Sequence, residues 1–230
     1  MGELIRVEQV PPEDGDQVIR PLPLTNIQRQ VLGSVGHTLI MSLRSVSELV
    51  RVTSAGEKLD FLFFWGHQPE RAGRVGASCL SQWWLASFTV DGHTFASAEH
   101  YMMWGKAVLF ADAENAERVL AAETPKAAKE LGREVRGFDG KVWSAHRYEI
   151  VVRGNVAKFG QNAELLEYLL ETGERVLVEA SPVDRVWGIG LAADDPRAED
   201  PARWQGSNLL GFALMEARAQ LRGGQPDPTA

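Results

Sequence analysis

The stretch Ala86-Ser87-Phe88-Thr89-Val90-Asp91-Gly92-His93-Thr94-Phe95-Ala96-Ser97-Ala98-Glu99-His100-Tyr101-Met102-Met103-Trp104-Gly105-Lys106 decides the fold class. Ala86 to Val90 and His93 to Phe95 are short β-prone segments on either side of Asp91-Gly92. That dipeptide supplies the positive φ values of a two-residue hairpin, so the segment predicts strand, turn, strand. Ser97 then offers a side-chain oxygen to the free amides of a helix beginning at Ala98. Glu99 falls in the first turn, where the helix dipole favours a negative charge.

Downstream the pattern is mainly helical. Asp112 is placed to cap a segment with Ala116, Val119 and Leu120 on one side. Thr124-Pro125 reads as a cap followed by a first-turn proline, and Gly132 ends that short helix. Trp143, Ile150, Val151 and Val156 outline a long helix. Asn162 caps another, with Leu165, Leu166, Leu169 and Leu170 inside and Gly173 beyond its end. Val176 to Val178 reads as a strand, and Leu209, Phe212, Leu214, Met215 and Leu221 as a final amphipathic helix. Upstream, Phe61 to Trp65 reads as a buried strand. Residues 66–78, with Gly66, Pro69, Gly73, Gly76, Arg71 and Arg74, read as a mobile loop. Helices outnumber strands and do not alternate with them. That predicts an α+β fold, mostly helical, with a small β-hairpin or sheet rather than a doubly wound one.

The ends carry less. Residues 1–24 read as a tail, with Pro11, Pro12, Pro21 and Pro23 among acidic residues. In residues 26–58, Leu39, Leu43, Val46 and Val50 recur at helical spacing behind a possible Thr38 cap. The Val50-Arg51-Val52 alternation fits a strand as well, so helix and strand stay open. Residues 1–58 thus form an N-terminal extension, residues 59–222 a single compact domain, and residues 223–230, with two glycines and two prolines, a fraying tail.

The chain has 24 Lys and Arg against 31 Asp and Glu, a net charge of −7. That argues against a non-specific coat on nucleic acid, while leaving room for a local basic pocket. Cys79 stands alone, which excludes an internal disulfide and a cysteine metal cluster. The apolar run at Phe61 to Trp65 is far too short to span a bilayer, so no membrane partner is expected. Glu3, Arg6 and Glu8 stand where a secretory signal needs an apolar stretch. A cytoplasmic location is the expectation.

Several groups can carry chemistry. In a helix, Glu99 and Lys106 are seven residues apart, about 700° of rotation, so they share one face with Met102 and Met103 between them. A carboxyl and an amine facing one apolar cleft can act as acid/base and nucleophile, because burial depresses a lysine's pKa. The commoner reading of such spacing is an ordinary surface charge pair. Asp184-Arg185-Val186-Trp187-Gly188-Ile189-Gly190 offers an aromatic face beside a backbone that a ligand can approach, or else a tight turn with a core tryptophan. Gly206-Ser207-Asn208-Leu209-Leu210-Gly211 opens the final helix. Its amides can hold a phosphate, although a plain capped helix explains them as well. His67 and His100 lack metal-ligand spacing, and His100 reads as a packed, hydrogen-bonding histidine. Arg133 and Lys158 can meet an anion, though singly each is more often a surface charge.

Taken in order, these segments resemble the NADAR family, also called YbiA-like, from about Phe61 to Leu221. The matching pieces are Phe64-Trp65-Gly66-His67, Leu80-Ser81-Gln82-Trp83, the Asp91-Gly92 hairpin, and Glu99-His100-Tyr101 followed by Lys106. They continue with Gly132-Arg133, Ala157-Lys158-Phe159, Trp187-Gly188-Ile189-Gly190 and Asn208-Leu209-Leu210-Gly211. The resemblance implies N-glycosidase chemistry needing no cofactor and no metal. Family members cleave a ribose–nitrogen bond, some in phosphorylated intermediates of riboflavin biosynthesis, others in ADP-ribosylated guanine of nucleic acid.

By that resemblance, Lys106 attacks the anomeric carbon through a Schiff base, with Glu99 and Asp184 as catalytic carboxylates and Trp187 as a stacking wall. Gly188, Gly190, Asn208, Gly211, His67, Gln82, Tyr101 and Arg133 are the implied substrate-binding positions. Gln82 stands where the family often has Asn, and Met103-Trp104-Gly105 departs from a commonly polar site. The expected substrate is a small phosphorylated ribosyl pyrimidine, since no basic stripe suits a polymer. An ADP-ribosyl-guanine glycohydrolase and a non-catalytic ADP-ribose or nucleotide binding module are the alternatives. For either substrate, Arg71 and Arg74 on the 66–78 loop are expected to meet a phosphate or a strand.

Overall fold

The computed structural model describes residues 43–68 and 74–223. Within them the chain forms helix α1 (Val46–Ser54), strand β1 (Phe61–Phe64), a 3-10 turn (Ala77–Leu80) and the hairpin β2 (Leu85–Val90) and β3 (His93–Ser97). Helices α2 (Ala98–Leu109), α3 (Ala113–Leu120), α4 (Pro125–Arg133), α5 (Gly140–Gly160) and α6 (Ala163–Glu171) follow. Strand β4 (Val176–Glu179), a 3-10 turn (Pro201–Arg203) and helix α7 (Leu209–Gly223) complete it. The fold is α+β and mostly helical. No helix of the described residues is long and apolar enough to cross a membrane.

The hairpin forms as its sequence requires. Asp91 and Gly92 take φ of 51° and 80°, the pair of left-handed residues that matches the twist of the flanking strands. Phe88 pairs with Phe95 across it and Val90 with His93. Phe95 packs edgewise on Tyr101 and Trp104 of α2 and Phe88 lies tilted against Tyr101, which fixes that helix against the hairpin. The second sheet is a parallel pair, β1 with β4, in register from Phe61–Val176 to Phe64–Glu179. Val176, Leu177 and Val178 are all buried, because α7 covers this pair. Helix α5 runs between α2 and α7 and carries core residues toward both.

Several local expectations change. The strand at 61 stops at Phe64, and Trp65 lies outside it, 59% exposed. Helix α4 passes through Gly132 to Arg133; Gly132 is small because Met103 lies against it. Asn162 occupies the cap position of α6 but caps nothing: its amide donates to the carbonyls of Ser87 and Lys158 instead. Leu165 and Leu169 are buried, whereas Leu166 and Leu170 are only half-buried. The 46–54 region, open between helix and strand, is α1, capped by Ser45. Its Leu49 and Val52 join the main core. Thr38, Arg71, the 1–24 tail and residues 224–230 lie outside the described residues.

Candidate active site

Helix α2 carries the site and is held at its N-terminal end. Ser97 Oγ accepts the amide of His100 and pairs with His100 Nδ1 at 2.7 Å, while His100 Nε2 donates to the Ala122 carbonyl at 3.1 Å. His100 is thus a packed, hydrogen-bonded residue. The Glu99 amide donates to the Gln82 carbonyl at 2.9 Å, joining the helix start to the Ser81–Trp83 turn. That turn is pinned from α5 by two buried side chains. Asn155 Nδ2 donates to Gln82 Oε1, and Lys158 Nζ donates to the carbonyls of Cys79 and Ser81 at 2.6 and 2.8 Å. Lys158 is therefore a wholly buried strut, neither a surface charge nor an anion ligand.

One face of α2 opens into a cavity of about 340 Å³. Glu99, Met102, Met103 and Lys106 line it together, as helical spacing requires. Lys129, Gly132 and Arg133 of α4 form a second wall, and Trp143 and Arg147 of α5 a third. Trp83 and Gln82 come from the pinned turn, and Glu179, Asp184 and Trp187 close the far side.

The Lys106 ammonium donates to the Gly132 carbonyl at 2.6 Å and lies 4.1 Å from the centre of the Phe138 ring. Burial holds its pKa below the ordinary lysine value. Glu99 is 3% exposed. Burial pushes its carboxyl up to about 7 against the pull of Lys129 and a hydrogen bond from Trp83, with Asp184 adding to the rise. Its Oε1 is buried without a partner. Glu179 is pushed up to about 8 by burial, helped by the neighbouring Asp184 and Glu99. Two carboxyls able to hold protons at neutral pH thus share a cavity with a lysine whose proton is loosened.

Asp184 also lines the cavity, but its Oδ1 accepts the amides of Val186 and Trp187, both at 2.8 Å. One oxygen thus shapes the turn that presents Trp187. Arg147 stacks near that indole, 6.0 Å from its centre.

Not every expected position reaches the cavity. Tyr101 points the other way, into the Phe88–Phe95 cluster. His67 packs on the outer side of the site, its ring 5.5 Å from that of Trp83. Arg74, from the 66–78 loop, is exposed and is not among the cavity's lining residues.

Gly188, Gly190, Asn208 and Gly211 build the frame. A Cβ on Gly188 would meet the Glu179 carbonyl, and one on Gly211 the Leu177 carbonyl and Asn208. Asn208 is wholly buried, accepting the Glu179 amide and donating to the Leu177 carbonyl. The amides of Ser207, Asn208, Leu209 and Leu210 all donate to the carbonyls of Arg185 to Gly188, so none is free for a phosphate.

Sequence reasoning missed Glu179, Lys129, Trp143 and Arg147 as site residues. Two signals pointed to them: Lys129 with Arg133 and Trp143 with Arg147 are i, i+4 pairs on one helix face. Glu179 had only one mark, a carboxylate ending an otherwise apolar strand.

Known proteins resemble this chain over most of its described length. The NADAR domain model matches residues 63–222. The N-glycosidase R617 of Acanthamoeba polyphaga mimivirus is 41% identical over 165 residues, covering 70% of this chain and 95% of that protein. The N-glycosidase YbiA of Escherichia coli (strain K12) is 33% identical over 132 residues, covering 57% and 74%. The solved NMR structure of the E. coli protein YbiA superposes with a TM-score of 0.56 at 25% identity, covering 76% of this chain and 94% of that one. With the family model spanning the hairpin, the α2 face and the Trp187 turn alike, the chain belongs to the NADAR domain family.

Proposed function

We propose that this protein hydrolyses the C–N bond between ribose phosphate and a nitrogenous base, using Lys106 as a covalent amine nucleophile. The chain is an N-glycosidase by class, as its curated relatives are. The observation that carries the mechanism is the placing of Lys106 with two proton-holding carboxyls, Glu99 and Glu179, in one cavity. The hydrogen bond to the Gly132 carbonyl orients Nζ, so that in its neutral form the lone pair is free to face the sugar.

The steps balance. Neutral Nζ attacks C1′, the C1′–N bond breaks, and the departing nitrogen takes a proton from a carboxylic acid. Nζ sheds a proton as the furanose ring opens, O4′ takes one up, and a Schiff base joins C1′ to Lys106. Water adds to that carbon, the amine leaves, and the sugar closes with a hydroxyl where the base stood. A nearby carboxylate steadies the positive charge that builds on the sugar.

The preferred substrate is a small phosphorylated ribosyl pyrimidine of the riboflavin pathway. A cavity of about 340 Å³ lies at the small end of ligand pockets and suits one nucleotide-sized molecule. Lys129, Arg133 and Arg147 supply cations for its phosphate. A second reading, removal of ADP-ribose from guanine, draws support from exposed apolar side chains near Lys106 and Trp187. Phe138 and Val142 on one side and Val183 and Val186 on the other offer surface to a larger ligand.

The test follows base release by chromatography from a ribosylamino-pyrimidine 5′-phosphate and from an ADP-ribosylated guanine oligonucleotide. Release from the pyrimidine is expected. Release from the oligonucleotide alone would select the second reading, and release from neither would favour a binding module. Borohydride added during turnover should leave a sugar adduct on Lys106, and an active enzyme that gives no adduct would overturn the covalent route.

A further inference from the structure

The cavity is polarised along α2. Lys106 sits two helical turns beyond Glu99, a rise of roughly 10 Å. It faces Gly132, Phe138 and Trp143. The other end gathers carboxyls: Glu99 from the first turn of α2, Glu179 from the end of β4 and Asp184 from the following loop, with Lys129 of α4 acting on both glutamates and Arg133 on Glu99. Burial holds the carboxyls of both Glu99 and Glu179 above the usual carboxylate range. Asp184 Oδ1 accepts two backbone amides. Glu99 Oε1 and Glu179 Oε2 are both buried and without a hydrogen-bond partner.

The backbone of Glu179 is fixed on both sides. Its amide donates to Asn208 Oδ1 at 3.0 Å, and its carbonyl accepts the Ile189 amide at 2.9 Å and lies against Gly188. The backbone that presents Trp187 is therefore hydrogen-bonded directly to Glu179. A planar base lying on Trp187 comes to the Glu179 end, and the sugar reaches toward Lys106.

We propose that Glu179 is the acid that protonates the departing base, distinct from Glu99, which flanks the sugar from the same helix face as Lys106. This rests on the N-glycosidase reading above and adds a residue to it. Schiff-base cleavage needs two protons, one for the leaving nitrogen as the C1′–N bond breaks and one for O4′ as the ring opens. Glu179 supplies the first, and Glu99 supplies the second, taking up in exchange the proton that Nζ sheds as the Schiff base forms. Glu179 gives its proton to the leaving nitrogen and becomes a carboxylate. It regains a proton from the water that adds to C1′.

The test compares leaving groups in the full chain. Glu179→Gln keeps the shape of the side chain and removes the proton. Two substrates are used: a ribosylamino-pyrimidine 5′-phosphate, whose base leaves poorly without a proton, and 4-nitrophenyl ribofuranoside 5-phosphate, whose phenolate leaves without one. The expected result is a fall of about 10²-fold or more in kcat for the pyrimidine, with the nitrophenyl substrate changed by only about threefold or less. The alkaline limb of the pyrimidine pH profile, which reports loss of the donated proton, should disappear in the variant. Glu179→Asp, which retains a transferable proton, should recover part of the pyrimidine rate and restore that limb.

Equal slowing of both substrates, an unchanged pyrimidine rate, or an alkaline limb kept in Glu179→Gln would each overturn the assignment while leaving the N-glycosidase reading intact. If the wild type cleaves only the ADP-ribosylated guanine oligonucleotide, that substrate replaces the pyrimidine in the comparison; a wild-type protein inactive on all three would instead overturn that reading, and the role of Glu179 with it. Should Glu179→Gln fail to fold, Glu179→Asp decides: its discrimination between the two leaving groups must lie beyond that of the wild type.

Discussion

Replacing Glu99 by glutamine measures how the site holds its protons. Glu99 lies beneath Trp83 and Lys129, and burial lifts its carboxyl from the 4.5 of a solvated glutamate to about 7. The unfolded chain releases this proton near 4.5, the folded chain near 7. Between those values the folded state binds more protons. Its contribution to stability is complete below pH 4.5 and is lost as pH rises through 7. At ~1.4 kcal/mol for each factor of ten in proton affinity, the loss amounts to ~3 kcal/mol. Glutamine has the same shape and nothing to ionise, so it escapes that loss.

The Tm of Glu99→Gln minus that of the wild type should therefore climb between pH 4.5 and 8, by ~6–12 °C for a domain of this size. Scanning calorimetry over that range reads it directly. Turnover at pH 7 should fall by about 10²- to 10⁴-fold, the usual worth of a positioned acid. A Tm difference that stays constant from pH 4.5 to 8 would mean the carboxyl titrates as if solvated, and the proton-holding cavity would be refuted.

Other expected outcomes follow from the same geometry. Lys106→Ala should abolish turnover and borohydride trapping while lowering stability by only ~1 kcal/mol, the worth of its bond to the Gly132 carbonyl, as read by thermal melts. Asn208→Ala should cost ~2–4 kcal/mol, since it strands a buried amide and carbonyl of β4 and keeps a left-handed backbone that alanine resists; denaturant titration checks it. Gly132→Ala forces Met103 aside and should lower stability by ~1–3 kcal/mol, with a further loss of activity because the Lys106 acceptor moves. Lys158→Met should leave the carbonyls of Cys79 and Ser81 unpaired, costing ~2–5 kcal/mol by urea titration.

Where local rules govern, sequence reading reached the structure. The Asp91-Gly92 hairpin, the Ser97, Asp112 and Thr124 caps, and the shared face of Glu99 and Lys106 all depend on residues within a few positions of one another. The order of motifs carried the family as well. Local rules failed where a distant partner competes. Asn162 looks like a helix cap, yet the Ser87 carbonyl draws its amide away. Lys158 looks like a surface charge, yet two carbonyls from the turn before β2 justify its burial. The amides at 207–210 look free for phosphate until the Arg185–Gly188 turn closes over them.

By itself, then, the order of residues in this protein settled the helices, the hairpin and the face on which an amine and a carboxyl meet, because helix and turn geometry are properties of short chain. Which carboxyls hold protons was decided only in three dimensions. A pKa rises through the exclusion of water and the closeness of like charge, and both arise when β4, the Asp184 turn and α4 fold over α2. Glu179 stands eighty positions from Glu99, and nothing in the chain between them says that they share a wall.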